Sequence, residues 1–122
     1  ICLKADAKIF STAYPALQEE LKGALSPLGC NFVTDPSTAD WVIDISATAR
    51  EYNKVATGNI NTYFAYVDAT ISITKTATGQ RVYENMFTEK GGHTHNYQQA
   101  ARDAYKYLTP KISQVVREQV KQ

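Results

Sequence analysis

The sequence predicts an α+β fold: a two-layer sandwich in which a mixed β-sheet of about five strands carries two main helices on one face. Two observations support this prediction. Apolar and polar residues alternate through 41–50, 65–74 and 81–89, which is typical of strands with one buried and one exposed face. Apolar residues recur at helical spacing in 17–28 and 101–116, so two amphipathic helices are expected to cover the buried face.

The start of the chain predicts a βαβ unit. Residues 1–10 have the composition of a strand, and Ser11 or Thr12 is expected to cap a helix whose first turn contains Pro15. A short second strand, 30–33, is expected to lie parallel to the first through a right-handed crossover. The apolar stripe of this first helix consists of Leu17, Leu21, Ala24, Leu25 and Leu28.

An antiparallel meander of three strands is expected after a turn at 35–38. Its first two strands are joined by a segment from Tyr52 to Thr62, which is interpreted as a polar loop longer than a tight hairpin needs. Gly79 is expected to close the next hairpin because glycine adopts positive φ without strain. The run 90–92, Lys-Gly-Gly, is interpreted as the break that ends the last strand.

The final helix has a clear start signal. Asn96 is followed three residues later by Gln99, which is the spacing of a capping box. Pro110 is expected to kink the helix, and the alternative is a new helix capped by Thr109 with the proline at its first position. The apolar stripe consists of Ala101, Ala104, Tyr105, Leu108, Ile112, Val115 and Val116.

Composition and charge restrict the class of function. The chain has 122 residues, which predicts a single domain, 1–122, and its formal net charge is +1. That charge argues against a general attraction to nucleic acid or anionic lipid. The opening run Ile1-Cys2-Leu3 already has the character of a strand, so we expect this domain to be trimmed from a longer precursor or multidomain protein by removal of a leader, an anchor or another domain.

Two cysteines, Cys2 and Cys30, lie in apolar strand-like contexts. They are expected either to form a disulfide between adjacent strands, which would indicate an oxidising compartment, or to be two buried free thiols. Two distant cysteines supply too few ligands for a zinc site.

His93 and His95 are the residues to consider for a metal site. They would share one face of a strand, and Glu84, Glu89 or Asp103 could add a carboxylate. Protein metal sites usually have three or four ligands, so the alternative interpretation is an exposed polar loop between strand and helix. No nucleophile elbow or triad context occurs in the sequence, and no catalytic residue, metal ligand or cofactor is predicted.

Tyrosine is the one residue type in surplus, with eight copies. Tyr63, Phe64 and Tyr66 are expected to cluster at one end of the sheet, with Tyr52 across the loop from them. Aromatic residues on an exposed sheet face can form a protein-binding surface, which predicts a partner-binding role for these four residues on the exposed face of the meander. The alternative interpretation is ordinary strand propensity.

The order of the elements resembles a known group of proteins. The residues that carry the resemblance are Ala39 to Ile45, a strand from Val67 to Ile73, the hairpin Thr78-Gly79-Gln80, and a strand ending at Lys90-Gly91 before an alanine-rich helix. This pattern resembles the small α/β domains of bacterial envelope lipoproteins. The group includes the curli-secretion lipoprotein CsgG, the penicillin-binding-protein activator LpoB, the flagellar proteins FlgO and FlgT, and the amino-terminal domain of TolB.

The resemblance implies a non-catalytic accessory or assembly domain of the bacterial cell envelope, located in the periplasm or associated with the outer membrane. It implies action through protein–protein contacts, with an envelope protein or a second copy of the chain as partner, and no nucleic acid. The alternative from a different class is a small-ligand-binding or metal-binding enzyme domain that uses the loop at His93 and His95.

Overall fold

The computed structural model describes residues 1–29 and 31–120, which form a five-stranded mixed sheet with two α-helices. The predicted fold class is confirmed. The sheet order is β2-β1-β3-β4-β5, and two short 3₁₀ turns occur at Ser26–Leu28 and Pro36–Thr38. The elements are β1 (Cys2–Ile9), β2 (Thr12–Ala13), α1 (Ala16–Leu25), β3 (Trp41–Thr57), β4 (Ile60–Lys75), β5 (Gln80–His93) and α2 (Tyr97–Gln119).

The βαβ unit is formed by β1, α1 and β3. β1 lies parallel to β3 from the pair Cys2↔Val42 to the pair Ile9↔Ala49. The second strand predicted at 30–33 is wrong for its described residues, because 31–33 is not part of the sheet. β3 pairs with β1 over eight residues, whereas the segment 31–33 forms backbone hydrogen bonds, among the described residues, with Ile1 alone. Longer pairing therefore decides which segment lies beside β1.

The expected pairing of Cys2 with Cys30 involves a residue outside the described part of the chain. Cys2 itself is buried at the start of β1, and its thiol lies 3.9 Å from the carbonyl oxygen of Thr34. The thiol therefore packs against the segment that leads from α1 toward β3.

The first helix begins later than the sequence predicted. Thr12 belongs to β2, so neither it nor Ser11 caps the helix, and α1 starts at Ala16 after Pro15. Phe10 has a φ of 57°, which reverses the chain and lets β2 pair back onto β1. The predicted stripe is confirmed at Leu17, Leu21 and Leu25, which are completely buried, whereas Ala24 is exposed.

β5 continues through the two glycines that were interpreted as its end. Gly91 and Gly92 pair with Ala65 and Phe64 of β4. A methyl group on Gly91 would overlap the backbone of α2 at Ala100 and Ala104. Interpreting Gly91 and Gly92 as a strand break was therefore wrong: Gly91 is small because the helix backbone lies directly against the strand.

α2 covers β4 and β5, and its start was predicted correctly. Asn96 accepts a hydrogen bond from the backbone N–H of Gln99 through its side-chain oxygen, at 2.8 Å. The helix is continuous through Pro110, so the alternative of a second helix is wrong. The hydroxyl of Thr109 donates to the carbonyl oxygen of Tyr105 at 2.9 Å and does not cap a new helix.

Tyr105 joins α2 to the edge of the parallel pair. Its ring is completely buried and stacks on Tyr14 with centroids 4.6 Å apart, and its hydroxyl donates to the backbone carbonyl of Lys8 at 2.7 Å. Burial raises the pKa of Tyr105 far above its ordinary value, because the phenolate would lose hydration in this position.

We expect Gly91→Ala to lower the free energy of unfolding by about 2–3 kcal/mol, because the helix or the strand must move to admit the methyl group. Gly23→Ala is the matched control: it lies inside α1 with open space around it, and should stabilise the protein by about 0.5–1 kcal/mol. Urea denaturation of both variants measures the difference. Equal effects at the two sites would contradict the close packing of α2.

The raised pKa of Tyr105 predicts a loss of stability at alkaline pH. The folded state favours the neutral phenol, so its contribution is complete below the unfolded-state pKa of about 10 and is lost as pH rises above it. Tyr105→Phe should lower stability by about 1 kcal/mol at neutral pH through the lost hydrogen bond, and should then decline less steeply above about pH 10. Urea denaturation over this pH range checks the slopes, and parallel curves would contradict the assignment.

Candidate functional site

β3 and β4 extend beyond the rest of the sheet as a two-stranded arm, defined as residues 51–62. The pairing of β1 with β3 ends at Ile9↔Ala49, and the pairing of β5 with β4 ends at His93↔Tyr63. Among the described residues, the rungs from Val55↔Thr62 to Thr57↔Ile60 therefore have no third strand beside them, while the rungs nearer the base are flanked by β5 alone. Nearly all side chains of the arm are exposed. Such a projection presents two open strand edges and two faces to a partner.

The predicted polar loop from Tyr52 to Thr62 is wrong, because strand pairing continues almost to the tip. Only Gly58 and Asn59 lie between the last paired residues. Gly58 has a φ of 61°, and positive φ at the first of two central residues allows a tight hairpin turn. The polar composition that suggested a loop instead reflects two strands with both faces in solvent.

A β-bulge lies at the base of the arm. Glu51 pairs with Ala65 and Asn53 pairs with Phe64, so Tyr52 is an extra residue on β3. The extra residue changes which positions of β3 face outward, meaning away from the two helices. Beyond the bulge, Asn53 and the alternate residues that follow it face outward together with Phe64.

Three aromatic rings and two cations pack together on the outer face at the base of the arm. The ammonium of Lys90 lies 4.4 Å from the ring centroid of Phe64 and 5.4 Å from that of Tyr52. Tyr52 meets Tyr66 edge-to-face at 4.9 Å, and the guanidinium of Arg50 lies 4.7 Å from the ring centroid of Tyr66. These contacts hold exposed aromatic side chains in defined positions.

Asp68 fixes the orientation of Arg50. Arg50 donates through Nε to one carboxylate oxygen at 2.8 Å, and the hydroxyl of Thr88 donates to the other at 3.0 Å. The hydrogen bond from Arg50 is the main cause that lowers the pKa of Asp68. Lys90 has no carboxylate within ion-pairing distance among residues 1–29 and 31–120. The positive charge of Arg50 is thus balanced, and that of Lys90 is available to a partner.

The apolar surface continues along the same face toward the tip of the arm. Val55 and Ile60 face outward, with 42% and 59% of their surfaces exposed, and Tyr52 is 53% exposed. Exposed apolar side chains that lie together on one face can mark a surface that another molecule covers. We call this surface the arm face and define it as Tyr52, Val55, Ile60, Phe64 and Tyr66.

Of the four predicted partner-binding residues, Tyr52, Phe64 and Tyr66 come together on the arm face. Tyr63 faces the opposite way, so its expected place on the exposed face is wrong. Its ring packs against the core and meets Tyr97 of α2 edge-to-face at 5.0 Å. Alternation along β4 explains this. Every second residue from Ala65 to Ile73 faces the core, and Tyr63 continues that series.

The two histidines lie at the junction between β5 and α2, where His93 is half-buried and His95 is exposed. The backbone N–H of His95 donates to Nδ1 of His93 at 3.0 Å, which occupies one of the two ring nitrogens of His93. Glu84 and Glu89 each pair with a basic side chain. Within residues 1–29 and 31–120, no group of three or more histidine, cysteine or acidic residues is placed to hold a metal ion.

Sequence reasoning missed the two cations of the arm face. Arg50 and Lys90 both pair with Tyr66, one from each neighbouring strand. If β3 and β5 contained no bulge, the register set by the two hairpin turns would pair Tyr66 with Glu51 and Glu89 instead. No signal in the sequence fixes the position of the bulges, so the charge beside Tyr66 could not be assigned.

Several solved structures share this fold. A minor lipoprotein from Acinetobacter baumannii is 16% identical with a TM-score of 0.62, covering 93% of this chain and 87% of its own. A protein from Caulobacter crescentus CB15 described as a lipoprotein is 11% identical with a TM-score of 0.52, covering 98% and 93%. A PelC dodecamer from Paraburkholderia phytofirmans is 17% identical with a TM-score of 0.52, covering 89% and 84%.

At these identities the likeness shows the fold alone. No protein-family model matches the chain, and no curated protein sequence matches it. The coarser part of the resemblance is confirmed: the chain has a fold found in bacterial lipoproteins. Its relation to the curli, penicillin-binding-protein-activator, flagellar and TolB groups stays a prediction. Neither helix in the described ranges has the length and apolar character needed to cross a membrane.

The two faces of β4 predict different responses to truncation. Tyr63→Ala should lower the free energy of unfolding by about 2 kcal/mol, because the ring packs on Tyr97 and the core. Tyr52→Ala should change it by less than about 1 kcal/mol, since more than half of this ring is in solvent. Urea denaturation measures both, and the reverse order would contradict the assignment of faces.

Proposed function

We propose that this chain is a non-catalytic accessory or assembly domain of the bacterial cell envelope that binds another protein through the arm face. The observation that carries the proposal is that Tyr52, Val55 and Ile60 are exposed on the same face of a projecting hairpin as the half-buried rings of Phe64 and Tyr66. Its partner is an envelope protein or a second copy of the chain.

The side chains of the arm face suit protein binding. Tyrosine and arginine are enriched where interfaces contribute most affinity, because they bury a large area and also form hydrogen bonds. Tyr52 and Tyr66 are held by each other and by Lys90 and Arg50 before any partner arrives. Preorganised side chains lose little conformational entropy on binding, so more of the contact energy appears as affinity.

The charge of the surface indicates the kind of partner. Arg50 is already paired with Asp68, while Lys90 lies over two rings without a carboxylate among the described residues. A complementary surface would offer apolar side chains to the arm and an acidic group to Lys90. A free acidic polymer alone would leave Val55 and Ile60 in solvent, so a protein surface fits better.

The comparisons support the location and mode of action in this proposal. Two of the similar structures are lipoproteins, which is consistent with a periplasmic or outer-membrane-associated domain attached through a lipid anchor. PelC forms a dodecamer, which is a precedent for self-association on this fold. Catalysis is not part of the proposal, because the arm face offers aromatic, aliphatic and cationic groups without a nucleophile beside a base.

A site-specific photo-crosslinker tests the arm face in living bacteria. Replacing Ile60 with a photoreactive phenylalanine in the full-length protein should produce a discrete adduct with one envelope protein or with a second copy, identified by mass spectrometry. Thr70 is the matched control, because it is exposed on the outer face of β4 but lies away from the arm. Adding Tyr52→Ala should reduce the Ile60 adduct about tenfold, since aromatic interface residues commonly contribute over 1 kcal/mol.

Two results would contradict this use of the arm face. One is an adduct of equal strength from positions 60 and 70, which would indicate random collision. The other is an Ile60 adduct unaffected by Tyr52→Ala in a protein whose unfolding curve matches that of the unsubstituted chain.

A further inference from the structure

The two edges of the sheet differ in how they are protected. The β1 edge is covered at one end by β2 and at the other by the segment 31–33, which hydrogen-bonds to Ile1. β5 forms the other edge, and within residues 1–29 and 31–120 it pairs with β4 alone. β5 contains no proline, and its register shift lies near its start, at Val82. Residues 83–93 therefore form a long regular edge of the kind that accepts another strand.

A hydrogen bond shows which backbone groups point out of this edge. The N–H of Met86 donates to the side-chain oxygen of Asn85 at 2.8 Å, so it does not point at β4. Backbone groups of alternate residues in an antiparallel strand point the same way. Glu84, Met86, Thr88 and Lys90 accordingly present their backbone N–H and C=O groups at the open edge.

Exposed apolar side chains surround the same edge. Met86 is 70% exposed on the outer face of β5, and Val82 is also exposed. Tyr107 of α2 is 58% exposed and lies one helical turn before Lys111, which forms an ion pair with Glu89 of β5. Tyr107 therefore lies on the flank of α2 above β5, so apolar side chains border this edge on both faces of the sheet, and none of the three belongs to the arm face.

We infer that β5 pairs with β5 of a second copy, antiparallel about a two-fold axis at Phe87, to form one continuous ten-stranded sheet. A two-fold axis perpendicular to the sheet places outer-face residues of one copy opposite outer-face residues of the other. The register is then defined by the one residue that lies opposite the same residue of the second copy. An axis at Phe87 places Glu84 of each copy opposite Lys90 of the other, because each lies three residues from the centre. Axes at 86 or 88 do not pair these charges.

The remaining contacts of this register are also compatible. Met86 of each copy lies opposite Thr88 of the other, as a hydrogen-bonded pair in which the second strand replaces the Asn85 side chain at the Met86 N–H. Phe87, half-buried on the helix side, meets its own counterpart. The two copies of α2 lie side by side, and Tyr107 becomes covered between them. Backbone pairing, two ion pairs and apolar burial thus occur together.

This inference needs no envelope partner, and it shares only Lys90 with the base of the arm face. Sedimentation velocity on the purified protein tests it. The protein should be a dimer at about 10 micromolar and dissociate progressively as salt rises, since the cross-strand ion pairs are screened. Glu84→Lys and Lys90→Glu should each weaken dimerisation about tenfold or more, because each change replaces two attractive pairs with two repulsive ones.

The double variant Glu84→Lys/Lys90→Glu should restore dimerisation, which only direct pairing of the two positions predicts. Lys4→Glu, on the outer face of β1, is the control and should leave the dimer unchanged. A monomer at about 100 micromolar would overturn the inference, as would a dimer that the double variant fails to restore. Neither result would affect the crosslinking test of the arm face, so the two proposals fail separately.

Discussion

The β3–β4 ladder is the interaction on which the rest of this structure depends. It runs from Trp41↔Lys75 to Thr57↔Ile60, and every other element is placed by it. Its inner face, with Ile43, Ile45, Val67, Ile71 and Ile73, is the surface on which α2 packs, while α1 packs on β1 and α2. β1 gains its parallel partner from one side of the ladder, and β5 pairs with the other. The end of the ladder that extends beyond both β1 and β5 forms the tip of the arm.

Two β-bulges determine which charged side chains lie beside the aromatic rings on the outer face of this ladder. The extra residue at Tyr52 and the shift near Val82 each move a strand by one position relative to its turn. As a result Arg50 and Lys90, and not two glutamates, flank Tyr66. An acidic pair at those positions would remove the cation–π contacts that order the rings. The position of the bulges therefore determines both the sign of the charge and the rigidity of the arm face.

Within residues 1–29 and 31–120, two separate apolar areas have no intramolecular partner. One is the outer face of the arm, and the other surrounds Met86 and Tyr107 at the β5 edge. They differ in character: the arm offers aromatic and aliphatic side chains, whereas the edge offers backbone hydrogen-bonding groups with Glu84 and Lys90 in a self-complementary charge pattern. A protein with both surfaces can form a dimer through one and still present two arms, one per copy, to a further partner. Two linked arms would gain avidity from such a partner.

The sequence by itself determined the elements that depend on local periodicity and capping. Alternation predicted β3, β4 and β5, the leucine stripe predicted α1, and Asn96 with Gln99 predicted the start of α2, because these signals involve residues only a few positions apart. It also identified Tyr52, Phe64 and Tyr66 as candidate binding residues. What only the tertiary structure decided involves residues far apart in sequence. β3 displaced 31–33 beside β1 because it offers a longer ladder. Gly91 is small because a helix backbone packs on it. Tyr63 packs against the core and Tyr66 does not, because alternation along β4 places them on opposite faces and α2 covers only one of those faces. The bulges placed Arg50 and Lys90 beside Tyr66. Strand register, helix docking and edge exposure are set by competition between segments that are distant in sequence, and a local sequence pattern does not contain that information.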